Sequence, residues 1–264
     1  MRINHKFLNI PADNNPFNWH HSFYTENAIL KNIEIYNPEI LVLGTFNPNL
    51  TTNLADIFYG RNYFWPAFKN LFINGVIDEN LLIQQRLNYD PYNPNLNEIF
   101  VLCQKLKLTF TDLIESIFSP TDNTQIIHRA GKEYILFNER EYNPISDIAL
   151  QRLNAIKKVN WNTPNIIKYL NLNRKIRTIF LTRRENLCWQ KQTNQIRQTF
   201  PAIKLIPIYT PTALGGAVHQ QTQIYGEGKM KPLLRHWVHN NGGNYGNLNH
   251  NNWLIENGVN IDNF

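Results

Sequence analysis

Residues 40–43 read Ile-Leu-Val-Leu, an unbroken apolar run that stops at Gly44-Thr45-Phe46-Asn47-Pro48. A short apolar run closed by a small residue and Asn-Pro predicts a buried strand over 39–46 and a sharp turn behind it. Comparable runs predict strands over 106–111, 176–181 and 203–209. Between them the apolar positions recur at helical spacing. One helix is expected over 62–73, burying Phe64, Phe68, Leu71 and Phe72, and others over 78–87 and 95–106. Thr111-Asp112 is expected to cap a helix following its strand. Ser146-Asp147 opens a helix with Ile148, Leu153, Ile156 and Val159 at core spacing, and Pro164 starts another that ends near Leu172. Further helices are expected over 184–200 and 227–239. Residues 1–37 read as an irregular lead-in with one helix near 26–34. Residues 119–145 have no clear period and read as loops or a hairpin.

Strands alternating with helices predict a three-layer α/β/α sandwich around a central, mainly parallel four-stranded sheet. At 264 residues the chain fits one domain, expected over 1–239, with 240–264 as an Asn/Gly-rich tail. Composition adds a sign. The net charge is +6, which suits an anionic partner, nucleic acid first. About 40 residues are asparagine, a bias that fits polar loops as readily as functional amides. The two cysteines, Cys103 and Cys188, form no C-x-x-C pair, so neither a structural zinc site nor an iron–sulfur cluster is expected. No cofactor or metal is expected at all. The N-terminus has no apolar core of signal-peptide length and no run reaches the length of a membrane span, so a cytoplasmic protein without membrane contact is expected.

The first strand points at chemistry. In open α/β sheets ligands bind beyond the carboxyl ends of the strands, which is where Asn47 is delivered. Phe58-Tyr59-Gly60-Arg61-Asn62-Tyr63-Phe64-Trp65 follows within one loop. An amide among flat apolar walls is what a pocket for a planar heterocycle needs. Asparagine also caps turns and helices, so each amide has a purely structural reading, and Phe64 and Trp65 can equally be core.

Taken together, Gly44-Thr45-Phe46-Asn47-Pro48 and the aromatic loop after it resemble the first signature of the uracil-DNA glycosylase superfamily. G-T-F is similar to the hypoxanthine-DNA glycosylase branch, and N-P to the mismatch-specific uracil branch. Thr210-Pro211-Thr212, after the strand at 203–209, resembles the second signature, which reads H-P-S, N-P-S or L-P-S in that superfamily. Phe110-Thr111-Asp112-Leu113-Ile114 is similar to its intervening strand-end motif. The likeness covers roughly 38–73, 107–117 and 176–237, and leaves 119–172 as a family-atypical insertion.

The resemblance implies a monofunctional DNA glycosylase, a monomer that flips a base out of DNA, hydrolyses its N-glycosidic bond and leaves an abasic site. Asn47 would orient the water, with Asn62 as the alternative catalytic amide and Asp56 as a third polar candidate. Phe46, Phe58, Tyr59 and Phe64 would stack on the flipped base. Thr210, Pro211 and Thr212 would meet the DNA backbone, and Gly215 with Gly216 would let phosphate approach. Leu214 would wedge into the vacated stack, and His219 would touch base or phosphate. Arg174, Lys175, Arg177, Arg183, Arg184, Lys229, Lys231 and Arg235 would track phosphates. Neither motif carries a lysine, so no Schiff-base lyase nucleophile is expected. The candidate bases are uracil, hypoxanthine or a modified cytosine such as glucosylated hydroxymethylcytosine of phage DNA, which spans base-excision repair and anti-phage defence. Two other classes compete: a lesion- or nucleic-acid-binding protein without catalysis, and a nucleoside-handling α/β enzyme unrelated to DNA.

Overall fold

The computed structural model describes residues 1–8, 36–53, 55, 57–58, 64–69, 72–73, 94–183, 187–207 and 256–258. The central sheet has four strands, β2 (Ile40–Gly44), β3 (Leu108–Asp112), β9 (Thr178–Leu181) and β10 (Lys204–Pro207), in the order β10-β9-β2-β3. All three pairings are parallel, with Val42 beside Phe110 and Phe180. Helices cover both faces, so the expected α/β/α sandwich stands.

Alternation along β2 sorts the two faces, since successive side chains of a strand point opposite ways. Leu41 and Leu43 share one core with Leu150 and Leu153 of α3 (Asp147–Ala155), Ile166, Tyr169 and Leu170 of α4 (Thr163–Leu172), and Trp189 and Ile196 of α5 (Leu187–Thr199). Val42 and Phe110 face an aromatic layer. There Phe64, Trp65 and Phe68 of α1 (Phe64–Lys69) pack edge and face, with Trp65 edge-on to Phe110 at 5.7 Å between centroids. Phe72, Phe100 and Cys103 are buried as well, the last two on α2 (Leu96–Lys105). That helix starts as its sequence directs. Asn95 accepts from the Glu98 amide and the Glu98 carboxylate accepts from the Asn95 amide, a reciprocal cap.

A second sheet was not legible in the periodicity. β1 (Ile3–Asn4), β4 (Ile114–Ile117) and β8 (Val159–Trp161) pair antiparallel in the order β1-β4-β8. The expected helix after Asp112 is therefore replaced by β4. The Asp112 side chain bonds across the fold instead of capping. Part of the irregular lead-in is likewise a strand, and the remainder, 9–35, lies outside the described residues. The segment without period is an antiparallel meander, β5 (Gln125–Arg129), β6 (Lys132–Phe137) and β7 (Arg140–Tyr142). On α3 the inward residues are Ala149, Leu150 and Leu153; Ile148 is 63% exposed and Ile156 42%. Ile148 lies in the first turn on the side away from Ala149, Leu150 and Leu153, and the helix ends at Ala155 before Val159 enters a strand. The expected helices at 78–87 and 227–239 lie outside the described residues.

Candidate functional site

The strand order places the site. The chain runs from β2 to β3 on one side and later extends from β9 to β10 on the other, so the order reverses between β2 and β9. Open α/β sheets bind ligands beyond the carboxyl ends at such a switch point. Gly44 ends β2 there, and Thr45, Phe46 and Asn47 follow it.

Asn47 is 9% exposed. Its Nδ2 donates to Asp112 Oδ2 at 2.9 Å; a carboxylate only accepts, which assigns the amide orientation. No described residue donates to Asn47 Oδ1. Asp112 ends β3 in register with Gly44, so pairing of the two central strands brings these side chains together across 65 residues of chain. Asp112 is 1% exposed. Its Oδ2 also bonds His5 Nε2 at 2.8 Å, while its Oδ1 is sealed from solvent and has no partner among the described residues. A buried carboxylate oxygen without a donor is uncommon and marks a place for a water or ligand.

Around this pair the loop after β2 is braced from three directions. The N-terminal segment crosses it: the Lys6 amide donates to Asn47 O and the Asn49 amide to Asn4 O, both at 2.8 Å. Lys6 Nζ donates to the carbonyls of Asn53 and Ala55 at 2.6 and 2.8 Å, so its ammonium is a brace. Asn53 in turn donates to Pro48 O at 2.9 Å. From the meander, Glu133 accepts from Thr51 Oγ1 (2.7 Å), the Thr52 amide (2.9 Å) and Thr52 Oγ1 (2.7 Å). Burial pushes the Glu133 carboxyl up, but those three donors outweigh it and hold it below the ordinary glutamate range. Behind Asp112, Asn162 Nδ2 donates to the Asp112 carbonyl at 2.9 Å. Asn162, the N-cap of α4, makes no side-chain cap bond; its Oδ1 accepts from Asn165 Nδ2 at 3.1 Å instead.

Aromatic rings form the walls. Phe46 is 6% exposed and Phe58 fully buried. The His5 ring stacks on Phe58 at 5.0 Å and meets Phe46 edge-on at 5.9 Å. Phe58 also touches Phe7 and Phe110, and its carbonyl accepts from Trp65 Nε1 at 2.6 Å. Phe64 is fully buried and stacks on Phe68. Of the expected stacking residues, Phe46 lies closest to Asn47 in the chain, and Phe46, Phe58 and Phe64 are all buried in the core. Tyr59, Asn62, Asp56, Thr210, Pro211, Thr212, Leu214, Gly215, Gly216 and His219 lie outside the described residues, as do Arg184, Lys229, Lys231 and Arg235.

The expected phosphate track divides. Arg174, Lys175 and Arg177 precede β9 and sit at the amino end of the sheet, away from Asn47. Arg183 follows β9 at the carboxyl end, paired with Asp147 at 2.7 Å and lying over the Trp189 ring at 4.2 Å. Three site residues escaped the sequence reading. Asp112 carried a signal, a carboxylate at the end of a buried strand; isolated His5 and Glu133 carried none. Among the described residues no cluster of three His, Cys, Asp or Glu side chains could hold a metal ion. Also among them, no helix is long and apolar enough to cross a membrane.

No protein-family model, no curated protein and no solved structure matches this chain.

Proposed function

We propose that this protein is a monofunctional DNA glycosylase, acting as a cytoplasmic monomer on a deaminated or modified base. One observation carries the reading. At the switch point of the sheet, Asn47 and Asp112 are bonded to each other through Nδ2 and Oδ2, and neither Asn47 Oδ1 nor Asp112 Oδ1 takes a donor from a described residue. Two neighbouring acceptors fit a water that gives a hydrogen to each and turns a lone pair outward. The water oxygen attacks C1′ as the C1′–N bond breaks, and the bonding electrons leave with the base. Asp112 Oδ1 takes the proton, which an amide cannot do. The sequence motif alone leaves the water with Asn47 and no base; pairing with β3 supplies one. The occupied ammonium of Lys6 supports a water nucleophile over an imine.

The test is mass spectrometry of bases released from DNAs containing uracil, hypoxanthine, xanthine, hydroxymethylcytosine or glucosylated hydroxymethylcytosine. Asn47→Ala should lower release by about a hundredfold or more while DNA binding persists, because the side chain acts on the water. No release from any DNA, with binding retained, would leave a lesion-binding protein in its place.

A further inference from the structure

The first eight residues do more than brace a loop. His5 lies in a bridge to Pro48, beyond the end of β1, and its side chain is 1% exposed. Its Nδ1 faces two backbone donors, the amides of Phe7 and Leu8, each at 3.0 Å. A nitrogen that accepts two N–H groups cannot carry a hydrogen, so the ring is the Nε2–H tautomer and donates to Asp112 Oδ2. The ring is locked in plane as well as in tautomer. Phe58 covers it at an interplanar angle of 28°, and Phe7 and Phe46 stand against it at 71° and 64°. A flip would turn carbon toward both amides and toward Asp112.

We infer that His5 is a positioning residue for base release: its fixed Nε2–H holds one oxygen of Asp112 so that the other stays turned toward the water. The inference rests on the glycosylase reading and adds to it a residue 42 positions before Asn47. With His5 and Asn47 both on Oδ2, the carboxylate cannot exchange its two oxygens by rotation. With Asn47 alone it pivots about a single bond, and the proton acceptor loses its aim. A purely structural histidine would serve the turn at Phe7 and Leu8 equally well but would leave the reaction unchanged. The N-terminal strand is thereby a working part of the site.

The experiment compares wild type, His5→Gly, His5→Gln and Asp112→Asn on whichever DNA of the panel above the wild type releases a base from, with melting temperatures alongside. His5→Gly should lose about a hundredfold in kcat with KM for DNA within about twofold, since the defect is in aiming the proton acceptor. Added imidazole should recover at least about tenfold of that loss in His5→Gly and nothing in Asp112→Asn. If His5→Gly does not fold, His5→Gln, which keeps a donor amide, should remain within about tenfold of wild type. Folded His5→Gly with full activity, or with a loss that imidazole does not touch, overturns the inference. So does folded His5→Gln that is as slow as Asp112→Asn. Those results leave the glycosylase reading intact. A wild type that releases no base overturns both.

Discussion

Two buried carboxylates hold the same loop from opposite sides, and they are finished differently. Glu133 reaches in from the meander, 5% exposed, and its two oxygens accept three hydrogen bonds from Thr51 and Thr52. Asp112 reaches in from the central sheet, 1% exposed, with two donors on one oxygen and none on the other. A buried charge is costly unless hydrogen bonds replace its water. Glu133 meets that demand and has nothing left to offer a ligand. Asp112 meets half of it: Asn47, which the first motif delivers, bonds Oδ2, and Oδ1 has no donor among the described residues. Satisfaction, more than burial, separates the brace from the candidate reactive group.

The sharpest way to break this comparison is to neutralise each side in turn. Asp112→Asn removes the proton acceptor at nearly constant volume. Base release should fall by about a thousandfold or more, within the range general bases supply. Stability should hold or rise, because an incompletely solvated buried charge disappears. Melting temperature and single-turnover release on the same samples check both halves. A variant that unfolds while retaining activity per folded molecule would reverse the roles assigned to the two carboxylates.

Glu133→Ala should do the opposite. It strands the Thr51 and Thr52 donors next to a cavity, with a cost of about 2–4 kcal/mol in unfolding free energy. Release per folded molecule should fall by less than about tenfold, because the loop keeps its bonds to Lys6 and Asn4. Denaturation monitored by circular dichroism measures the first, and release at matched folded concentration the second. A thousandfold loss of release with little loss of stability would place Glu133 in the chemistry.

The two carboxylates also mark how far sequence could reach. The first strand of the central sheet was legible because Ile40–Gly44 is a short run buried on both faces. The helix over 95–106 was legible from its spacing, and its start is set by a local pair, Asn95 and Glu98. Asn47 could be singled out from the turn that follows its strand. Its pairing with Asp112 could not, since the two meet only through the parallel register of β2 and β3. His5 and Glu133 arrive through antiparallel pairings of short segments, whose partners lie at Glu115 and across the meander. The misplaced residues have separate local causes: Ile148 lies within the helix Asp147–Ala155 but on the side away from Ala149, Leu150 and Leu153, and Ile156 falls at its C-cap.

The smallest expected effect concerns acid. Glu133 titrates below its ordinary value in the folded chain, because bonds from Thr51 and Thr52 favour its charged form more than burial opposes it. A carboxyl depressed by folding contributes stability at pH above its unfolded value, near 4.5, and loses that contribution as pH falls through the folded value. The brace should therefore be fully present at neutral pH and fade only below the ordinary glutamate range. Hydrogen exchange at the Thr52 amide, which donates to Glu133, should accelerate relative to neighbouring amides as the pH is lowered through that window. In Glu133→Gln the same amide should show no such added acceleration, since its acceptor no longer titrates. Equal pH dependence in both proteins would mean that the meander's hold on the loop does not depend on the charge of Glu133. The contrast with Asp112 would then rest on hydrogen-bond count alone.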